Sequence, residues 1–226
     1  MSPSPQPSPA LRLRSVAVAR GGIALMEGLD LVVGAGQALI VRGANGLGKT
    51  TLLRTIAGLQ PPLSGEITAF GHEGQAATAS ELIAYASHSD GLKPTLTARE
   101  TLAFWGEVYA TDRVDDALDA MNLRGLEHRA AMTLSAGQKR RLGLARLKVT
   151  GRPIWVLDEP TVSLDADSVA LFAAAVRTHL AQGGSALIAT HIDLGLHDAQ
   201  VVDLTPFKAR PPEAGGLAGG FDEAFI

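Results

Sequence analysis

Residues 43–54, GANGLGKTTLLR, place Gly43, Gly48, Lys49 and Thr50 in the spacing G-x-x-x-x-G-K-[ST], with the aliphatic run ALIV before them and TTLLRTIAGL after. Glycines let successive backbone N–H groups converge on one anion without a Cβ in the way, and a helix N-terminus adds its dipole. The loop formed by Gly43, Ala44, Asn45, Gly46, Leu47, Gly48, Lys49, Thr50 and Thr51 therefore reads as a cradle for the phosphate chain of a nucleotide. Lys49 would meet the β- and γ-phosphates, and the Thr50 hydroxyl would ligate Mg²⁺. A glycine-rich turn with no ligand is the alternative, and the flanking strand and helix patterns argue against it.

A second piece is IWVLDE at 154–159, an apolar run that ends in two acids. In doubly wound sheets a carboxylate at a strand's C-terminal end lies beside the phosphate loop, so Asp158 can reach the Mg²⁺ shell while Glu159 faces an attacking water. LSAGQ at 134–138 precedes the basic stretch KRRLGLARL at 139–147. There Ser135 can donate a hydroxyl hydrogen bond, and Gly137 permits close backbone approach at a helix start. Arg140 and Arg141, just after it, read as serving helix ends and lobe contacts. His72, His128, His179 and His197 have no metal-ligand spacing and are expected to be solvated or structural.

These residues need rigid elements to hold them. ALIVRG (38–43), IWVLD (154–158) and SALIAT (185–190) read as buried strands, each followed by a loop or helix start, which favours an α/β domain with a mainly parallel sheet. From Glu100 to Val149 such strands are missing, and DRVDDALDAMNL (112–123) carries helical spacing, so a helical lobe of about residues 88–150 is expected between two core strands. The proline-rich residues 1–10 and the segment 208–226, with KARPPEAGGLAGG and the end FDEAFI, read as a disordered and a flexible tail around one domain at 11–207. Whether FDEAFI docks or frays stays open.

Composition narrows the partners. The net charge is −3, with Lys and Arg dispersed, which leaves no broad nucleic-acid footprint. The chain has no cysteine, which excludes disulfides and thiolate metal sites. No uncharged apolar run approaches the roughly 18–20 residues of a bilayer span, and MSPSPQPSPA lacks the pattern of a signal peptide. The chain is expected in the cytosol, with room for a membrane protein as partner.

With LSAGQ, SLDA (163–166) and His191 after SALIAT in this order, residues 11–205 resemble the ATP-binding cassette (ABC) ATPases, whose signature is usually LSGGQ; Ala136 takes one of its glycine positions. The resemblance implies a P-loop NTPase fold, an ABC-type nucleotide-binding domain with a RecA-like core and an inserted helical subdomain. It implies ATP and Mg²⁺ as cofactors, with ATP hydrolysis in a sandwich of two copies. Ser135, Ala136, Gly137 and Gln138 of one subunit would cover the γ-phosphate bound by the other. Asp165 would lie in the loop where subunits touch, and His191 would contact the γ-phosphate and organise Glu159. Two positions depart from the family. His88 stands where a glutamine senses Mg²⁺ and contacts the transmembrane partner; its imidazole can accept a hydrogen bond, bind a metal or bridge through water, and its titration could make cleavage or coupling pH-sensitive. VAVARGGIAL (16–25) offers no aromatic ring for adenine, which leaves Arg20 as the planar surface.

A narrower likeness rests on ASHSDGLKPTLTARETLAFW, LSAGQKRRLGLARL, WVLDEPTVSLD and THIDLGLHDAQVVDLTPF. Together they look like the ATP-binding subunits of the bacterial haem exporter complex of cytochrome c maturation. That likeness implies a peripheral place on the cytoplasmic side of the inner membrane, separate transmembrane subunits as partners, and an indirect one in a membrane haem chaperone. Three other readings stay open: an engine for export of lipids, peptides or metals, a non-transport clamp on DNA or ribosomes, and a nucleotide-gated binding module.

Overall fold

The structure is a computed structural model that describes residues 9–71 and 74–210. The readings of residues 1–8, of His72 and of the end FDEAFI lie outside the described residues. The chain opens with an antiparallel hairpin, β1 (Pro9–Arg20) and β2 (Ile23–Gly34), then forms β3 (Ala38–Arg42) and helix α1 (Lys49–Ile56). Next come β4 (Ser64–Phe70), the short β5 (Ala76–Ala77), the single turn α2 (Ala79–Leu82) and β6 (Ile83–Ala86). Helices α3 (Ala98–Tyr109), α4 (Val114–Ala120) and α5 (Ala136–Val149) follow, and then β7 (Ile154–Asp158), α6 (Ala166–Ala181), β8 (Ser185–Ala189) and β9 (Gln200–Asp203).

The strands form two sheets. One is antiparallel, in the order β2-β1-β4-β5; the other is wholly parallel, in the order β6-β7-β8-β3-β9. Every residue of β7 and β8 is buried, as expected of parallel strands covered on both faces. Their side chains alternate between two cores. Ile154, Val156, Leu187 and Ala189 face the first, with Leu52, Leu53 and Ile56 of α1 and Leu11 and Leu13 of β1, so α1 lies between the two sheets. Trp155, Leu157, Ala186 and Ile188 face the second, with Phe172 and Val176 of α6 and with Leu102, Leu118, Leu142 and Leu144 of the helical region. The helices of 98–149 therefore have no separate core, and their apolar faces continue the packing on the back of the parallel sheet.

Local chemistry sets the helix starts. Thr97 with Glu100, and Ser135 with Gln138, form reciprocal capping boxes at α3 and α5. Asp165 caps α6 by accepting from the Ser168 N–H at 2.8 Å. Two expected tail boundaries move. Pro9 and Ala10 belong to β1, where Pro9 pairs with Gly34 and Ala10 is buried. Lys208 bridges Met26, and the Ala209 N–H donates to Leu25 O at 3.0 Å. Pro9 and Ala10 extend the β1–β2 ladder, whereas Lys208 and Ala209 take up unpaired backbone groups on the free edge of β2, in spite of their linker-like composition.

His179, on α6, stacks on Trp155 with ring centroids 3.9 Å apart and 9° between planes, and its Nε2 lies 3.1 Å from Pro153 O. Burial, the largest cause, pushes the imidazole down to about 4 from its ordinary 6.5. The unfolded chain therefore binds the extra proton between these values, and stability rises with pH across that window. On acidification from pH 6.5 towards 4, on the order of 2–3 kcal/mol of stability should be lost. His179→Gln should flatten this part of the curve, measured as urea midpoints at a series of pH values. An unchanged slope in the variant would contradict the assignment.

Candidate functional site

The phosphate-loop candidate runs from the end of β3 to the start of α1. Gly48 is the N-cap of α1 at φ 111°, in the left-handed region, and a Cβ there would stand 3.1 Å from Leu25 Cβ. No side chain caps α1, and no acid sits in its first turn. Among the described residues, the backbone N–H groups of Gly48, Lys49, Thr50 and Thr51 meet no acceptor. Four unclaimed donors at the positive end of a helix make an anion site.

Lys49 is folded back over the loop and almost fully buried. Its Nζ donates to Gly43 O at 2.7 Å and Ala44 O at 3.3 Å, and it stands 3.5 Å from His191 Nε2. The same Nε2 lies 3.6 Å from Glu159 Oε1. A neutral Nε2 cannot both accept from the ammonium and donate to the carboxylate, so it can serve only one of the two at a time. Three separate strand ends thus bring Lys49, Glu159 and His191 together, although only motif order placed them in the sequence.

Glu159 itself is held in an unusual backbone state. Its φ is 47°, uncommon for a residue with a side chain. Its N–H donates to Ala189 O at 2.9 Å. Asp158, one residue earlier, is 2% exposed, and its Oδ2 is buried without a hydrogen-bond partner. The Tyr85 hydroxyl is buried without a partner as well, and burial, then the Asp158 charge, push it up to about 12. Apart from the Tyr85 hydroxyl, which faces it without a well-formed hydrogen bond, this buried carboxylate oxygen has no donor, and that suits a cation. Among the described residues no cluster of three or more His, Cys, Asp or Glu side chains could hold a metal alone. The donor set fits Mg²⁺, which commonly takes one or two protein oxygens and completes its shell with phosphate and water.

The other predicted residues lie elsewhere. Ser135 accepts from the Gln138 N–H at 3.2 Å, which leaves its hydroxyl hydrogen available, and Gln138 Oε1 accepts from the Ser135 N–H at 2.9 Å. Ala136 is exposed, and a Cβ on Gly137 would lie 3.4 Å from Ser163 O. No hydrogen bond or ion pair joins Ser135–Gln138 to residues 43–51 of the same chain. Asp165 is exposed and is engaged as the α6 cap, a role the sequence did not reveal. His88 is exposed just beyond β6, and Arg20 is exposed at the end of β1; neither side chain makes a hydrogen bond or ion pair.

Arg141 donates to Met121 O at 2.7 Å and Asn122 O at 3.0 Å, a lobe contact of the kind expected. Arg140 does more than the sequence reading gave it: it is 3% exposed and spans two segments beside Glu159. The signal for this was periodicity, because Arg140, Gly143, Leu144 and Leu147 occupy one buried face of α5 at i, i+3, i+4 and i+7.

A parallel sheet with the phosphate loop at one strand end and a helical insertion before β7 defines an ATP-binding cassette. Residues 26–162 match the ABC transporter family model, and the chain belongs to that family. Among individual proteins, it is 64% identical over 215 residues to the cytochrome c biogenesis ATP-binding export protein CcmA of Rhodobacter capsulatus, covering 95% of this chain and 96% of that one. It is 59% identical to the CcmA of Paracoccus denitrificans, covering 95% and 98%. A solved putative ABC transporter ATP-binding protein from Pyrococcus furiosus superposes with a TM-score of 0.76 at 25% identity, over 88% of this chain and 99% of that one.

Proposed function

We propose that this chain is the ATP-hydrolysing subunit of a membrane ABC complex that drives haem export, or haem release from a membrane chaperone, in c-type cytochrome biogenesis. The observation that carries the engine is the meeting of Lys49, His191 and Glu159 beside the uncapped start of α1. The haem assignment is supported by the likeness to CcmA over nearly the full length of both chains. No helix among the described residues is long and apolar enough to cross a membrane. In this reading the chain works at the cytoplasmic face of the inner membrane through separate transmembrane subunits.

In this reading ATP draws two copies together. The N–H groups of the loop from Gly43 to Thr51 hold the phosphates of one ATP, and Ser135, Ala136, Gly137 and Gln138 of the second copy close over its γ-phosphate. Thr50 and Asp158 would hold Mg²⁺, which when bound would offset phosphate charge. Glu159 orients a water in line with the γ-phosphorus and accepts its proton, while Lys49 and His191 stabilise the charge that develops on the phosphoryl oxygens. The guanidinium of Arg20 stacks on adenine, Asp165 meets the second copy, and His88 faces the transmembrane partner. The architecture of one cassette, extended from the expected 11–207 to include Pro9 and Ala209, with its helical lobe at about 88–150, is part of the same proposal.

The experiment is co-purification of tagged chain from membranes, with partners identified by mass spectrometry and haem on the chaperone followed by absorbance. Small haem-handling subunits should come down, and blocking turnover should leave haem on the chaperone. Recovery of a different permease with normal cytochrome c would end the haem assignment and keep the ATPase.

A further inference from the structure

Arg140 reaches four acceptors with one planar group. Its Nε donates to Pro160 O at 2.9 Å and its Nη2 to Glu159 O at 3.0 Å. Nη1 donates to Ser87 O at 2.7 Å and to Asp90 Oδ1 at 2.7 Å. One side of the fork thus grips the backbone immediately after β7, and the other grips the segment 87–90 immediately after β6. We infer that Arg140 is a positioning residue that sets the backbone of Glu159 and couples it to the position of the segment carrying His88.

Two observations support this independently. The first is the state of Glu159. Its peptide N–H is held by Ala189 O; its carbonyl accepts from Arg140 at 3.0 Å and, at the longer 3.4 Å, from the Val162 N–H, so a left-handed backbone is fixed on both sides, and the direction of the carboxylate follows from that backbone. The second is Gly143, one turn along α5. A Cβ at Gly143 would stand 2.5 Å from Asp90 Oδ1 and 2.9 Å from Asp90 Cβ. Only a glycine lets Asp90 settle against the helix and close the ion pair with Arg140. Lysine replaces the fork poorly, because Arg140 reaches its four acceptors from three separate nitrogens of one rigid plane, whereas all the donors of lysine sit on one nitrogen. A shift of segment 87–90 therefore moves the guanidinium, and the guanidinium moves the Glu159 carbonyl.

The inference rests on the reading of Glu159 as the residue that orients the water. Its test uses the complex purified from membranes with its own transmembrane subunits, comparing Arg140→Lys, Asp90→Asn and Gly143→Ala with wild type and Glu159→Gln. A misplaced carboxylate should lower kcat about tenfold to a hundredfold in Arg140→Lys and Gly143→Ala, with KM for ATP within about twofold. Asp90→Asn, which keeps the shape and loses the charge, should fall between these and wild type. If Arg140→Lys folds poorly, Gly143→Ala and Asp90→Asn carry the test, since neither removes a bond to Glu159 directly. Wild-type kcat in the folded variants overturns the coupling, and so does a joint loss of ATP affinity and melting temperature, which marks a purely structural role. Turnover in Glu159→Gln instead overturns the underlying reading of Glu159.

Discussion

Glu159→Gln binds ATP and holds two copies together while turnover falls about 10²–10⁴-fold, the usual worth of a positioned general base. The amide keeps the size of the carboxylate but cannot accept the water's proton. It also removes the negative charge that lies 3.6 Å from His191 Nε2 and would face the γ-phosphate, so repulsion against bound ATP falls. Affinity should therefore hold or rise while chemistry stops. Two measurements check this in parallel: phosphate release by the membrane complex, and the mass of the soluble variant with and without ATP. Robust phosphate release would remove Glu159 from the mechanism. A variant that stays monomeric with saturating ATP would remove the sandwich.

Lys49→Ala has its largest effect on binding. A charge-assisted contact to phosphate lost at this position should weaken ATP affinity roughly tenfold to a hundredfold. The apo protein should respond differently. Lys49 is almost buried, and its ammonium contacts two neutral carbonyls and an imidazole, with no carboxylate among its hydrogen-bond partners. Removing a poorly compensated buried cation relieves desolvation, which offsets the lost hydrogen bonds. The melting temperature without nucleotide should thus change little, while its rise on adding ATP shrinks. Titration calorimetry and thermal melts read both sides, and unchanged affinity would contradict the phosphate-loop assignment.

What the sequence disclosed follows from how each element is covered. β3, β7 and β8 are buried on both faces, so they read as unbroken aliphatic runs, and the loops after them carry motifs of fixed spacing. β1 was harder to read. Leu11 and Leu13 alternate with Arg12 and Arg14, but Ser15 adopts φ 46° at a register shift, and the buried set resumes at Val16 and Val18. Composition misled at the tails, because Pro9 is placed by its pairing with Gly34 in the hairpin and Lys208 by the free edge of β2, rather than by their own propensity. Arg140 was read as serving helix ends and lobe contacts; its buried face on α5 was legible, but its acceptors lie in other segments that no local pattern joins to it. The closeness of Lys49, Glu159 and His191 is a property of strand order, which no local pattern encodes.

In the proposed reading, the bare start of α1 makes ATP a structural component as well as a fuel. A side-chain cap is typically worth about 1 kcal/mol to a helix, and α1 has none. Between rounds of hydrolysis the chain carries an unfinished helix at the centre of its fold, which the next nucleotide completes. At an ATP concentration a hundred times Kd, binding favours the folded state by about 2.7 kcal/mol. The lifetime of this subunit against proteolysis should therefore lengthen with nucleotide occupancy of the loop, whichever adenine nucleotide fills it.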